Sequence, residues 1–151
     1  MNPRAIFVVL AAIGLSCAPP PPPPPKPDPT REAAYGEAVE KLSELNRNAL
    51  AALGKGARDD AGRYVQEGEP ASKLLLSAPE PTLAAMEAVS DRDQIYAGML
   101  MANRHWSFAR QLLVKNQLRW KYWKPRTQDT EQRQREAERG IAECDKRLMQ
   151  P

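Results

Sequence analysis

Ile95-Tyr-Ala-Gly-Met99-Leu-Met-Ala102-Asn-Arg-His-Trp106-Ser-Phe-Ala109-Arg-Gln-Leu-Leu113-Val-Lys-Asn116-Gln-Leu-Arg-Trp120-Lys-Tyr-Trp123 is the stretch that decides the fold class. Residues 95, 99, 102, 106, 109, 113, 116, 120 and 123 recur in steps of four and three. That is the spacing of one face of an α-helix. Ser90-Asp-Arg-Asp93 stands just before it and reads as a variant capping box. Lys124-Pro125 ends it, because the residue before a proline is pushed out of helical geometry. The spacing predicts a single helix over 90–123, roughly 50 Å long at 1.5 Å per residue. A buried stripe on so long a helix needs partners along most of its length.

The neighbouring segments supply candidates for those partners. Downstream, Ala137, Ile141, Cys144 and Leu148 repeat the same narrow spacing and predict a helix from about Thr130 to Met149. The short link between the two favours an antiparallel hairpin. Upstream, Tyr35, Val39, Leu42, Ala49 and Leu53 predict a helix over about 31–53, capped by Thr30 and stopped by Gly54-Lys-Gly56. Asn46 fills the vacant place in that seam. It either fixes a register or sits at a partly wet position. Residues 54–81 carry repeated glycines and prolines and predict short helices near 57–67 and 70–77. A further short helix is expected to begin near Thr82. Strand signals are nearly absent, and the strong helix formers dominate. The expected fold is all-α: an elongated helical hairpin or three-helix bundle with coiled-coil-like seams. It occupies residues 30–151 and follows a Pro-rich tether.

Charge is uneven along the chain. Residues 94–126 hold seven Lys and Arg and no Asp or Glu, whereas residues 30–93 hold eight basic and twelve acidic residues. With Trp106, Leu113 and Trp120 turned inward, Arg104, Phe108, Lys115, Arg119 and Tyr122 fall on the opposite face of the expected helix. Such a stripe can bind anions, its rings adding cation–π contact. The plainer alternative is that the acidic first helix neutralises it inside the bundle. The helix end is denser: Arg119-Trp120-Lys121-Tyr122-Trp123-Lys124-Pro-Arg126. Trp and Tyr beside Lys and Arg suit a membrane–water boundary or an interface anchor. These residues form the candidate partner-binding set.

The N-terminus carries an address. Met1-Asn-Pro-Arg4 is short and basic, Ala5–Leu15 is uncharged, and Ser16-Cys17 follows. That is a secretory signal, too short in its apolar part to span a bilayer, which takes about 20 residues. Ile13-Gly14-Leu15-Ser16-Cys17 resembles a bacterial lipobox, although the leucine stands one place later than is usual. The resemblance covers the first 17 residues. It implies removal of residues 1–16, thioether-linked lipid on Cys17, and stable anchoring by two or three acyl chains. Ala18, in place of aspartate, implies the outer membrane by resemblance to Gram-negative lipoproteins. Residues 18–29 hold nine prolines in twelve positions. They read as a polyproline II tether reaching roughly 35 Å at about 3.1 Å per residue.

Catalytic and metal-binding patterns are not found. His105 stands alone, and no Ser-His-Asp set, paired-His spacing or phosphate-cradling glycine loop is present. No cofactor is implied. Cys144 lies on an apolar seam and reads first as a buried thiol, then as a disulfide to a second chain. A homodimer through Cys144 or the seams stays open. The expected function is a non-enzymatic envelope lipoprotein whose periplasmic helical domain holds a partner, either an envelope protein or an anionic envelope polymer. Nucleic acid fits the charge but not the compartment. Two alternatives are a lysis lipoprotein, which resembles phage outer-membrane spanins in composition, and a cell-wall-modifying enzyme with no nominated carboxylate.

Overall fold

A computed structural model describes residues 27–150. Cys17, the expected signal segment and the tether up to Lys26 lie outside the described residues. Every regular element among the described residues is helical: a 3-10 turn at Pro29–Arg31, then α1 (Ala33–Gly54), α2 (Arg58–Glu67), α3 (Glu69–Ser77), α4 (Leu83–Ala102), α5 (Trp106–Tyr122) and α6 (Gln128–Leu148). The all-α helical bundle read from the sequence is the fold.

The expected helix over 90–123 is two helices. Asn103-Arg104-His105 breaks it, with Arg104 in the left-handed region at φ 61°. The break is a Schellman turn: His105 N–H donates to Leu100 O at 2.8 Å and Arg104 N–H to Met101 O at 3.0 Å. The end of α1 is built the same way around Gly56, at φ 75°, with Ala57 N–H on Ala52 O at 2.9 Å. Glycine announces the second turn in the sequence; arginine conceals the first, because side-chain residues rarely take that conformation.

The starts shift too. Ser90 and Asp93 are buried in the middle of α4, which begins at a Thr82 cap accepting from Ala85 N–H at 3.3 Å. The short helix expected near Thr82 is therefore the first part of a 20-residue one. Thr30 does not cap α1; it sits in the 3-10 turn, donating to Asp28 Oδ1. Helix α6 starts at a reciprocal capping box. Thr127 Oγ1 accepts from Thr130 N–H at 3.2 Å, and Thr130 Oγ1 accepts from Thr127 N–H at 2.9 Å.

Helix α4 is the centre of the molecule. On one flank Leu42, Leu75, Ala85 and Val89 tie α1 and α3 to it, and Ala49, Val65 and Ile95 add α2. On the other flank Ala97, Ala109, Leu113 and Cys144 join α4, α5 and α6. The expected hairpin is present as α5 and α6, but α1 packs on α2, α3 and α4 rather than along the hairpin. Gly140 lets α6 approach α5 closely, since a Cβ there would stand 2.8 Å from Leu113 Cδ1. Asn46 is not at a wet position: it is buried, and its Nδ2 donates to Ala88 O at 2.8 Å. It fixes the register of α1 on α4 within one chain.

Candidate functional site

The surface that α5 offers is set by how α4 holds its other side. Ser90 accepts twice from α5: its Oγ from Trp120 Nε1 at 2.7 Å, and its carbonyl from Asn116 Nδ2 at 2.9 Å. One turn on, Arg119 pairs with buried Asp93 at 2.6 Å and also donates to Asn116 Oδ1. From α6, Asp145 takes Arg110 at 2.6 Å, and Arg133 reaches back to Asp91 while lying over the Trp120 ring. Directional bonds of this kind leave α5 little freedom to rotate.

The same centre holds the other flank. Arg92 donates through Nε to Val65 O at 2.9 Å and pairs with Glu69, bridging the α2–α3 junction at Gly68. The Arg92 charge beside it, more than any other cause, holds the Glu69 carboxyl below the usual range. A Cβ on Gly68 would meet the buried Leu42 Cδ1 at 2.8 Å, so a larger residue there would force that side chain to shift.

With α5 fixed, its outer face carries Phe108, Gln111, Lys115, Leu118 and Tyr122. Phe108 is 62% exposed and Tyr122 70%, while Leu118 is 42% exposed. Leu118 and Tyr122 stand about one turn apart, and Phe108 lies about 15 Å along the same face, beyond Gln111 and Lys115. Beside them, Tyr96 and Leu100 of α4 with His105, Phe108, Gln111, Leu112 and Lys115 line an apolar groove of about 380 Å³. A second groove, lined by Leu50, Leu53, Ile95 and Met99, opens between α1 and the far side of α4.

The residues nominated from the sequence separate into two groups. Phe108, Lys115, Lys121, Tyr122 and Lys124 are exposed, and Lys121 Nζ stands 5.6 Å from the Tyr122 ring. Arg104 is exposed but lies in the α4–α5 turn, off the helical stripe. Trp120 is fully buried and belongs to the core, and Trp123 packs edge-on against it at 6.1 Å. Arg119 faces inward to Asp93, because a buried carboxylate demands a paired cation. Arg126 folds back on α5, donating to the carbonyls of Trp120 and Lys121 and to Gln134 at 3.0 Å, so it caps the helix end. Among the described residues no acid of α1 pairs with the stripe; of its cations Arg119 pairs with Asp93 of α4, while Arg110 and Arg126, outside it, pair with Asp145 and Glu131 of α6.

Tyr96, Leu100, Leu112 and Leu118 were not singled out in the sequence. The signal was the seven-residue spacing of Phe108, Lys115 and Tyr122, which returns to nearly the same face, drifting about 20° each time. Cys144 is fully buried, and burial pushes its thiol upward in pKa. A disulfide from it to a second chain would require α6 to open locally. Among the described residues, no three His, Cys, Asp or Glu are grouped to hold a metal ion, and no helix is long and apolar enough to cross a membrane. No protein-family model, curated protein or solved structure matches this chain.

Proposed function

We propose that this protein is a non-enzymatic cell-envelope lipoprotein, anchored through lipid on Cys17 to the outer membrane and facing the periplasm. Its helical domain holds an envelope partner. The observation that carries the binding role is the outer face of α5, where Phe108 and Lys115 line an apolar groove and Tyr122 stands exposed farther along the same face. A helix held in place on one side, with aromatic rings exposed on the other, is suited to recognition, because little ordering entropy remains to be lost on binding. The lipobox-like Ile13–Cys17 and the proline run support the anchor and its spacer.

The test compares wild type with Cys17→Ser and with Phe108→Ser/Tyr122→Ser, all expressed in a Gram-negative bacterium. Intact mass and membrane fractionation are measured first. The wild type is expected to gain a diacylglyceryl-sized mass and sediment with outer membrane, and Cys17→Ser to do neither. The face variant is expected to remain anchored but to lose envelope proteins that co-isolate with the wild type after mild detergent extraction. Unmodified, soluble wild type would overturn the anchor, and identical co-isolation by the face variant would overturn the binding face.

A further inference from the structure

The partner's chemistry can be read from the charges left over around this face. Residues 94–126 bring seven cations and no acid. Among the described residues, Arg110, Arg119 and Arg126 are paired with Asp145, Asp93 and Glu131. Arg104, Lys115, Lys121 and Lys124 have no ion pair there, and they sit along or at the ends of the exposed face. Between them an exposed ridge runs along α5, apolar at both ends through Phe108 and through Leu118 and Tyr122, with Gln111 and Lys115 in the middle.

We propose that the groove between α4 and α5 receives an acidic amphipathic helix of a partner protein. The inference rests on the partner-binding reading above. On α5 the groove wall runs from Phe108 to Lys115, about 10 Å at 1.5 Å per residue, and Leu118 and Tyr122 carry the exposed face on past it to about 21 Å from Phe108. That matches roughly four turns of a docked helix, read through apolar anchors at i, i+3 or i+4, and i+7. Lys115 is at the middle of the ridge and on the groove wall, so it selects for Asp or Glu on the incoming helix and against Lys or Arg. A membrane surface fits less well, because the groove between α4 and α5 is a concavity that a helix can enter and a flat head-group layer spans.

Photocrosslinking residues placed at Phe108, Leu118 and Tyr122 in the full-length anchored protein, in its native host, test this. Controls are placed at exposed Glu40 on α1 and Arg135 on α6. The expected result is one protein adduct common to the three ridge sites. Its crosslinked peptide should carry apolar residues at helical spacing flanked by Asp or Glu. Lys115→Glu should lower the yield by about tenfold through like-charge repulsion, and Lys115→Arg should preserve it. Adducts to lipid, to a second copy of this chain, or to a basic or non-helical peptide would overturn the proposal. Adducts from the control sites alone would overturn the groove but keep a binding role. Silence from all five sites, controls included, would overturn both.

Discussion

The indole N–H of Trp120 donates to the hydroxyl of Ser90 across 2.7 Å, joining α5 to the middle of α4 in a fully buried contact. Ser90 also accepts from Asn116 through its backbone carbonyl at 2.9 Å. The bond therefore belongs to a polar seam that sets the rotation of α5, and with it the identity of the exposed face.

Ser90→Ala leaves the buried Trp120 N–H without its partner. A cost of about 1–3 kcal/mol is expected, read as a lower urea midpoint with unchanged slope. Trp120→Phe combined with Ser90→Ala should cost less than the sum of the two single changes, because the stranded donor goes with the first. Strict additivity would show that the hydrogen bond contributes nothing.

Asp93 is buried and faces Arg119 at 2.6 Å and Arg92 at 3.5 Å. Asp93→Ala leaves Arg119 without its ion pair in a mostly buried site, and a loss of about 3–5 kcal/mol is expected. Arg119→Met in the same chain should restore much of it, since the uncompensated charge is then removed. Equal instability of single and double variants in chemical denaturation would count against a charge origin.

Two glycines in helices should respond oppositely. A Cβ at Gly98 meets nothing within 4 Å, so Gly98→Ala should add about 1 kcal/mol from helix propensity, or about 4 °C in Tm for a domain of this size. At Gly140 the Cβ would press on fully buried Leu113 from 2.8 Å, so Gly140→Ala should lose that gain to overpacking and lower the Tm. Calorimetry of the two variants checks the contrast.

Acid sensitivity should include a contribution from Glu69, whose carboxyl is depressed chiefly by the Arg92 charge, with Lys73 adding and burial opposing. A depressed folded-state pKa stabilises the fold above the unfolded value, near 4.3 for Glu, and that contribution is lost as pH falls through the lower folded value. Unfolding free energy measured from about pH 5 down to about pH 3 should therefore fall less steeply for Glu69→Gln than for wild type. Parallel curves would place the acid sensitivity elsewhere.

The sequence disclosed most about elements whose signals are local. Gly54-Lys-Gly56 marked a helix end because glycine takes positive φ without steric cost, and the end is there. The short helices near 57–67 and 70–77 correspond to α2 and α3. Arg104 hid a turn of the same geometry, since nothing in an arginine announces a left-handed backbone. The four-and-three spacing from Ile95 to Trp123 then ran on unbroken across two helices.

The face of α5 was half legible. Phe108, Lys115 and Tyr122 are exposed as their spacing implied, whereas Arg119, from the same wheel position, is drawn inward by Asp93. Helical spacing gives an angle, and an angle cannot say which polar residue will meet a buried partner. Ser90-Asp-Arg-Asp93 shows the same limit. Four polar residues read as a helix start, but their partners come from four other helices, and α4 packs on both flanks.

By itself, then, the sequence determined that the chain is all-α, where most helices lie and that residues 94–126 are cationic. These follow from backbone propensity, local spacing and composition. Only the tertiary structure decided which cations are spent in ion pairs, which aromatic rings face outward, and that Tyr96 and Leu100 join Phe108 in one groove. Those outcomes depend on contacts between residues far apart in the chain, which local pattern does not encode.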